Sequence, residues 1–121
     1  MEKQVGIRVQ RLSEDAWIPT KRSKPAAGHD LDSREEINIL ASNPALVKIG
    51  LAIAVPEATY GRIAPRSGLA TKGISVEAGV IDADYRGEVK VLLVNHNSTD
   101  YQVTKGDRIP QLIVERLDDQ D

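Results

Sequence analysis

A chain of 121 residues with a formal net charge of -2 has room for one hydrophobic core and not for a second, so any site is built within one fold or between copies of it. The absence of Cys removes disulfide frameworks, thiol nucleophiles and Cys-type zinc sites, and 2 His leave little for a histidine metal cage. With aromatic content at 3% and no basic excess, the composition argues against a nucleic-acid binder. Neither a secretory signal pattern nor an apolar run long enough to span a bilayer is present, so no membrane partner is expected and the expected location is intracellular, cytoplasmic or nuclear.

Val, Ile, Leu and Ala must fill a core that has no Phe and a single Trp, which favours strands. In chain order, Val5, Ile7 and Val9 alternate with polar neighbours and predict a half-buried strand. Residues 17–28, with Pro19, Pro25 and several cations, predict an irregular connection. The clearest strand is 47–55, with Val47, Ile49, Leu51, Ile53 and Val55 on one face and Pro56 as its stop. Further strands are expected over 60–64, 74–81, 88–94 and 108–116. Between the first two lies "RSGLATKG", one short helix with Ser67 as N-cap and Gly73 as C-terminal stop. Val80 and Ile81 against Val89 and Val91 suggest two arms of an antiparallel hairpin. Many short strands with turns between them predict an all-β sandwich, jelly roll or barrel.

Four stretches carry chemistry. In "APRSGLA", a strand that turns at once into a helix leaves backbone N–H groups free, and Arg66 with the Ser67 hydroxyl would complete a phosphate cradle; the alternative is a capped turn with a surface arginine. In "GVIDADYRG", the main chain could meet the edge of a flat base, the Tyr85 ring a sugar, and Asp82 the proton of a water; the alternative is a polar turn. In "KPAAGHDLDS", Asp30 either faces hydrated Mg²⁺, which binds through few carboxylates, or pairs with an arginine. In "KGDRIPQLI", Gln111 either offers an amide to a phosphate or sits on the polar face of a strand.

Taken together and in order, "AAGHDLDS", "GRIAPRSGLA", "AGVIDADYRGEV" and "KGDRIPQLI" resemble the first four motifs of the trimeric dUTPases, and the resemblance runs over residues 5–115. It implies a jelly-roll-like β-domain of the β-clip type, spanning 1–121 as a single domain and assembling as a homotrimer with sites at subunit interfaces. It also implies hydrolysis of dUTP to dUMP and pyrophosphate with Mg²⁺. Carried over by motif, Asp82 is the general base, Tyr85 packs under the deoxyribose, and the main chain of Ala78, Gly79 and Val80 reads the uracil edge. Arg66, Ser67, Gly68 and Gln111 belong to the phosphate-binding parts supplied by neighbouring subunits. Asp30 helps to position Mg²⁺ through water.

The family's fifth motif, a glycine-rich C-terminal arm, has no counterpart in "ERLDDQD", from which impaired turnover is expected. His29 stands in place of an aromatic residue, Glu77 in place of Gly beside the uracil loop, and Pro110 in place of a small residue; a shift of Gln111 by Pro110 is expected. A catalytically silent trimerisation or partner-binding module is the competing reading. A dCTP deaminase, from the same superfamily, ranks below it because the Asp82 loop follows the diphosphatase pattern.

Overall fold

Val47, Ile49, Leu51 and Ile53 share one face of a strand, and in the computed structural model of the chain that face is buried to 2% exposure or less. The structure describes residues 6–21, 23, 28–77 and 79–118. In chain order these form β1 (Arg8–Arg11), β2 (Thr20–Lys21), β3 (His29–Asp32), β4 (Ile37–Ile39), β5 (Pro44–Ala54), β6 (Thr59–Pro65), α1 (Ser67–Ala70), β7 (Ile74–Glu77), β8 (Val80–Ile81), β9 (Glu88–Asn95), β10 (Tyr101–Val103) and β11 (Arg108–Arg116). The expected all-β architecture with one short helix is borne out.

All the described pairings are antiparallel. One sheet runs β1-β5-β9-β7, a second β2-β3-β11-β6-β8, and β10 pairs with β4 in a small third. Inward residues of the first sheet, such as Val47, Ile49, Val91 and Leu93, join Leu31, Ile63, Ile81 and Leu112 of the second in one apolar cluster. At Gly50 the ladder bulges: the five residues of β5 from Lys48 to Ala52 oppose the three of β9 from Lys90 to Glu88. Gly50 takes φ +81, and a Cβ there would come within 2.5 Å of Arg34 and 3.0 Å of Ala16, so a glycine is required for both reasons.

Two expectations are corrected. Residues 74–81 are not one strand, and Val80 and Ile81 are not a hairpin arm against Val89 and Val91: β7 and β9 lie in the first sheet, while β8 pairs with β6 in the second. The stretch between them is a crossing from sheet to sheet. The helix is capped by Arg66 in extended conformation, not by Ser67, and no side chain caps it. Gly73 does close the turn after it, at φ +79. The short strands β2, β3, β4 and β10 carry too few residues for alternation to reveal. Val5, Pro25 and Ala78 lie outside the described residues.

One buried polar side chain ties the ends of several strands. Asn95, with no exposure, donates to the Ile39 and Thr99 carbonyls at 3.0 and 2.9 Å and accepts from the Asn97 backbone at 3.0 Å. Asn95→Ala strands these carbonyls and is expected to cost about 2–4 kcal/mol, read as a lower urea midpoint with unchanged slope. An unchanged midpoint would show that water replaces the amide.

Candidate functional site

β6 carries both halves of the site, one at each end. At its C-terminal end the chain turns at Pro65 and Arg66 into α1, which Leu69 anchors in the core. There Arg66 Nε lies 3.2 Å from Asp30 Oδ1, and Arg66 Nη1 donates to the Arg108 carbonyl at 3.2 Å. Arg108 Nη1 stands 3.9 Å from Asp30 Oδ2. Asp30 is only 5% exposed, so the arginines compensate a charge taken out of water. Thus the pairing alternative read for Asp30 is realised in this fold. Gln111 lies opposite Asp30 and Ala64 in the ladder, and its Nε2 donates to the Pro65 carbonyl at 3.2 Å. Pro110 is buried opposite Pro65, next to this contact. Ser67 and Gly68 are exposed, and a Cβ on Gly68 would meet nothing within 4 Å. No packing among the described residues calls for that glycine, whereas close approach by an outside group would.

At the other end of β6, Gly61 pairs with Ile81 and Arg62 with Val80, and Ile63 N donates to the Gly79 carbonyl at 2.7 Å. A Cβ on Gly79 would lie 2.7 Å from that of Ile63, so only glycine lets the crossing settle against β6. Asp82 follows at the exposed tip, where its carbonyl accepts from Tyr85 N at 3.0 Å. Tyr85 is pinned by its hydroxyl, which donates to the Glu88 carbonyl at 2.8 Å, and its ring crosses Gly87, where a Cβ would sit 2.6 Å from the hydroxyl. Arg86 Nη1 donates to the Ala83 and Tyr85 carbonyls at 2.8 and 3.0 Å. The loop is thus rigid by its own hydrogen bonds. Beside it is a largely apolar groove of about 300 Å³ lined by Leu46, Ile63, Gly79, Val80, Tyr85 and Lys90, among others. Such a groove suits a flat heterocycle.

A separate cavity of about 210 Å³ at the corner is lined by Arg66, Gly68, Lys72, Tyr101 and Arg108, among others. From Gly61 to Arg66 a strand advances about 17 Å, so within one chain the Asp82 loop and the arginine corner do not meet. Sequence reasoning missed Arg108 and Glu88; the Arg in "KGDR" was the one available signal for the first, and Glu88 acts through its carbonyl, which no side chain announces.

Among the described residues no group of three His, Asp or Glu is placed to enclose a metal. The buried Asp30 Oδ2 makes no hydrogen bond, a single spare acceptor that fits an ion coordinated mostly by water and phosphate oxygen.

The chain matches the family model for dUTPase over residues 14–121. A deoxyuridine 5'-triphosphate nucleotidohydrolase of Yarrowia lipolytica is 54% identical over 114 residues, 93% of this chain and 73% of that protein. Its namesake in Solanum lycopersicum is 57% identical over 112 residues, 92% of this chain and 66% of that protein. The dUTPase from phage phi11 of S. aureus superposes with a TM-score of 0.90 at 25% identity, covering 95% of this chain and 92% of that one. A mutant of the phage phi11 enzyme, with a TM-score of 0.89 at 25% identity and 95% and 93% coverage, is described as coordinating a structural Mg(II) ion. A mutant Staphylococcus bacteriophage 80alpha dUTPase bound to dUpNHpp gives 0.90 at 25% identity, with 95% and 85% coverage.

His29, half-buried on β3, is held below its ordinary value by burial first and by the Lys21 ammonium second. The unfolded chain then binds the extra proton more readily, so stability is full above the unfolded value and falls as pH drops from there toward the depressed one. The urea midpoint is expected to decline on acidification below about pH 6.5, and His29→Asn to flatten that decline. An unaltered profile would assign it to another group.

Proposed function

The chain belongs to the dUTPase family, and we propose that it hydrolyses dUTP to dUMP and pyrophosphate at sites shared between the subunits of a homotrimer, each chain acting as a single domain. The observation that carries this reading is the hydrogen-bonded loop that holds the exposed Asp82 between Ile81 and Tyr85, both of which line a base-sized groove. Uracil lies in the groove against the main chain of Ala78, Gly79 and Val80, and the deoxyribose lies on the Tyr85 ring. Asp82 takes a proton from water as the water oxygen bonds to phosphorus, and the phosphorus–oxygen bond to the pyrophosphate breaks. Arg66, Ser67, Gly68 and Gln111 hold the phosphates as charge shifts onto the leaving group. Asp30 would help to hold Mg²⁺ through water beside the triphosphate, and the ion would supply further charge neutralisation.

Strand geometry supports the shared site. The groove reaches Ile63 on β6, about 10 Å of strand short of Arg66, and in this reading its triphosphate is met by the arginine corner of another subunit. No helix among the described residues is long and apolar enough to cross a membrane. An intracellular location, cytoplasmic or nuclear, fits a nucleotide substrate, and a Dictyostelium discoideum relative is named as mitochondrial. Neither a silent module nor impaired turnover draws support from these residues, which retain both halves of the site.

Asp82→Asn is expected to lower pyrophosphate release from dUTP by about a thousandfold while circular dichroism stays unchanged. A Ser67→Ala/Gln111→Ala variant, which leaves the Asp30–Arg66 pair intact, should be similarly weak. Co-refolding the two variants one to one should restore about a quarter of the sites, because a competent site draws Asp82 from one subunit and the corner from another. No recovery on mixing would show that one subunit builds the whole site. Full turnover of Asp82→Asn would overturn the assignment of the base.

A further inference from the structure

Ser75 and Glu77 lie two residues apart on β7 and so on one face of the strand, with His96 beside them just past the end of β9. Ser75 Oγ donates to Glu77 Oε2 at 2.9 Å and contacts His96 Nε2 at 2.8 Å. A hydroxyl has one hydrogen, and a carboxylate only accepts. With that hydrogen committed to Glu77, the imidazole must donate from Nε2. The direction of the network is fixed, His96 to Ser75 to Glu77.

This order excludes a nucleophilic serine. The ring nitrogen facing Ser75 already carries a proton, and the carboxylate touches the serine rather than the far side of the ring. What the network does is restrain the strand end. His96 is anchored by its backbone N–H, which donates to the Gly73 carbonyl at 2.9 Å, and it follows the buried Asn95. Glu77 pairs with Leu92 as the last residue of β7, and two residues later the Gly79 carbonyl is bonded to Ile63 in the other sheet. The network therefore holds the final point of one sheet before the chain crosses to the base groove.

We propose that Glu77, tethered through Ser75 to His96, is a positioning residue that presets Gly79 and Val80, where the chain enters the second sheet, for the uracil nucleotide. The proposal rests on the dUTPase reading. It differs in sign from the alternative that Glu77 is a stray negative charge beside a triphosphate. A stray charge weakens binding, so its removal would lower KM; a positioning residue lowers KM by its presence, so its removal raises it.

The experiment is steady-state hydrolysis of dUTP and calorimetric binding of dUMP, with Asp82→Asn alongside. Glu77→Ala, Ser75→Ala and His96→Ala are expected each to raise KM and weaken dUMP binding about fivefold, the worth of one ordinary hydrogen bond, with kcat kept. Ser75→Thr, which keeps the hydroxyl, should restore KM. Long-range ¹H–¹⁵N spectra should show the Nε2–H form of His96 in the native chain and its loss in Ser75→Ala. A KM that is unchanged or lowered in Glu77→Ala, while Asp82→Asn still abolishes turnover, overturns the proposal and leaves the dUTPase reading standing. Full turnover of Asp82→Asn overturns that reading, and the proposal with it.

Discussion

The carboxylate of Asp30 is the interaction on which the arginine corner depends. Burying a carboxylate to 5% exposure costs desolvation, which Arg66 at 3.2 Å offsets, with Arg108 at 3.9 Å behind. The same contacts draw together three parts of the chain: β3, the turn after β6 and the start of β11. They also fix the Arg66 guanidinium, which donates onward to the Arg108 carbonyl. In the proposed function, a phosphate arriving there meets a cation already oriented, so little reorganisation is left to the moment of reaction. Removing Arg66 would then strand a buried charge and remove the proposed phosphate ligand at once. Stability and binding are not separable at this residue.

From that corner the rest of the site is set by strand geometry. β6 is seven residues long, its turn leads to Arg66 at one end, and its ladder with β8 places the Asp82 loop at the other. A strand does not bend back on itself, so within one chain the Asp82 loop and the arginine corner stay apart. In the proposed trimer this is why a complete site needs a second subunit, and why loop and corner can each be rigid without either closing over the nucleotide alone.

Much of this was legible in the sequence where a side chain alternates or a turn residue is forced. The period of two across Val47, Ile49, Leu51 and Ile53 located the central strand, and 108–116 was placed to the residue. The motif residues Arg66, Gln111 and Asp82 were legible as chemistry, and the choice between metal and arginine for Asp30 was left open. What alternation cannot convey is which sheet a strand joins. Ile74, Val76, Val80 and Ile81 read as one run because both sheets draw on the same β-branched side chains, including the exposed Val80, and only Gly79 marks the break. Likewise Ser67 resembles an N-cap by type, while the cap is set by backbone conformation at Arg66. The short strands β2, β4 and β10 exist because neighbours supply their partners, and two or three residues hold no period of their own.

The crossing between β7 and β8 shows how such a break is stabilised without a long connection. Its far side is locked by the Ile63–Gly79 hydrogen bond and by the lack of a side chain at Gly79. Its near side has no glycine, so a different constraint is needed, and the hydrogen-bonded row of His96, Ser75 and Glu77 provides one. A network on the exposed face contributes little to global stability, because water competes for each of its bonds. Its leverage is local: it acts on the one segment whose main chain, in the proposed function, must present its donors and acceptors to a base in a single arrangement. A polar face that a strand pattern alone would assign to solvent thereby acquires a reason for its residue types.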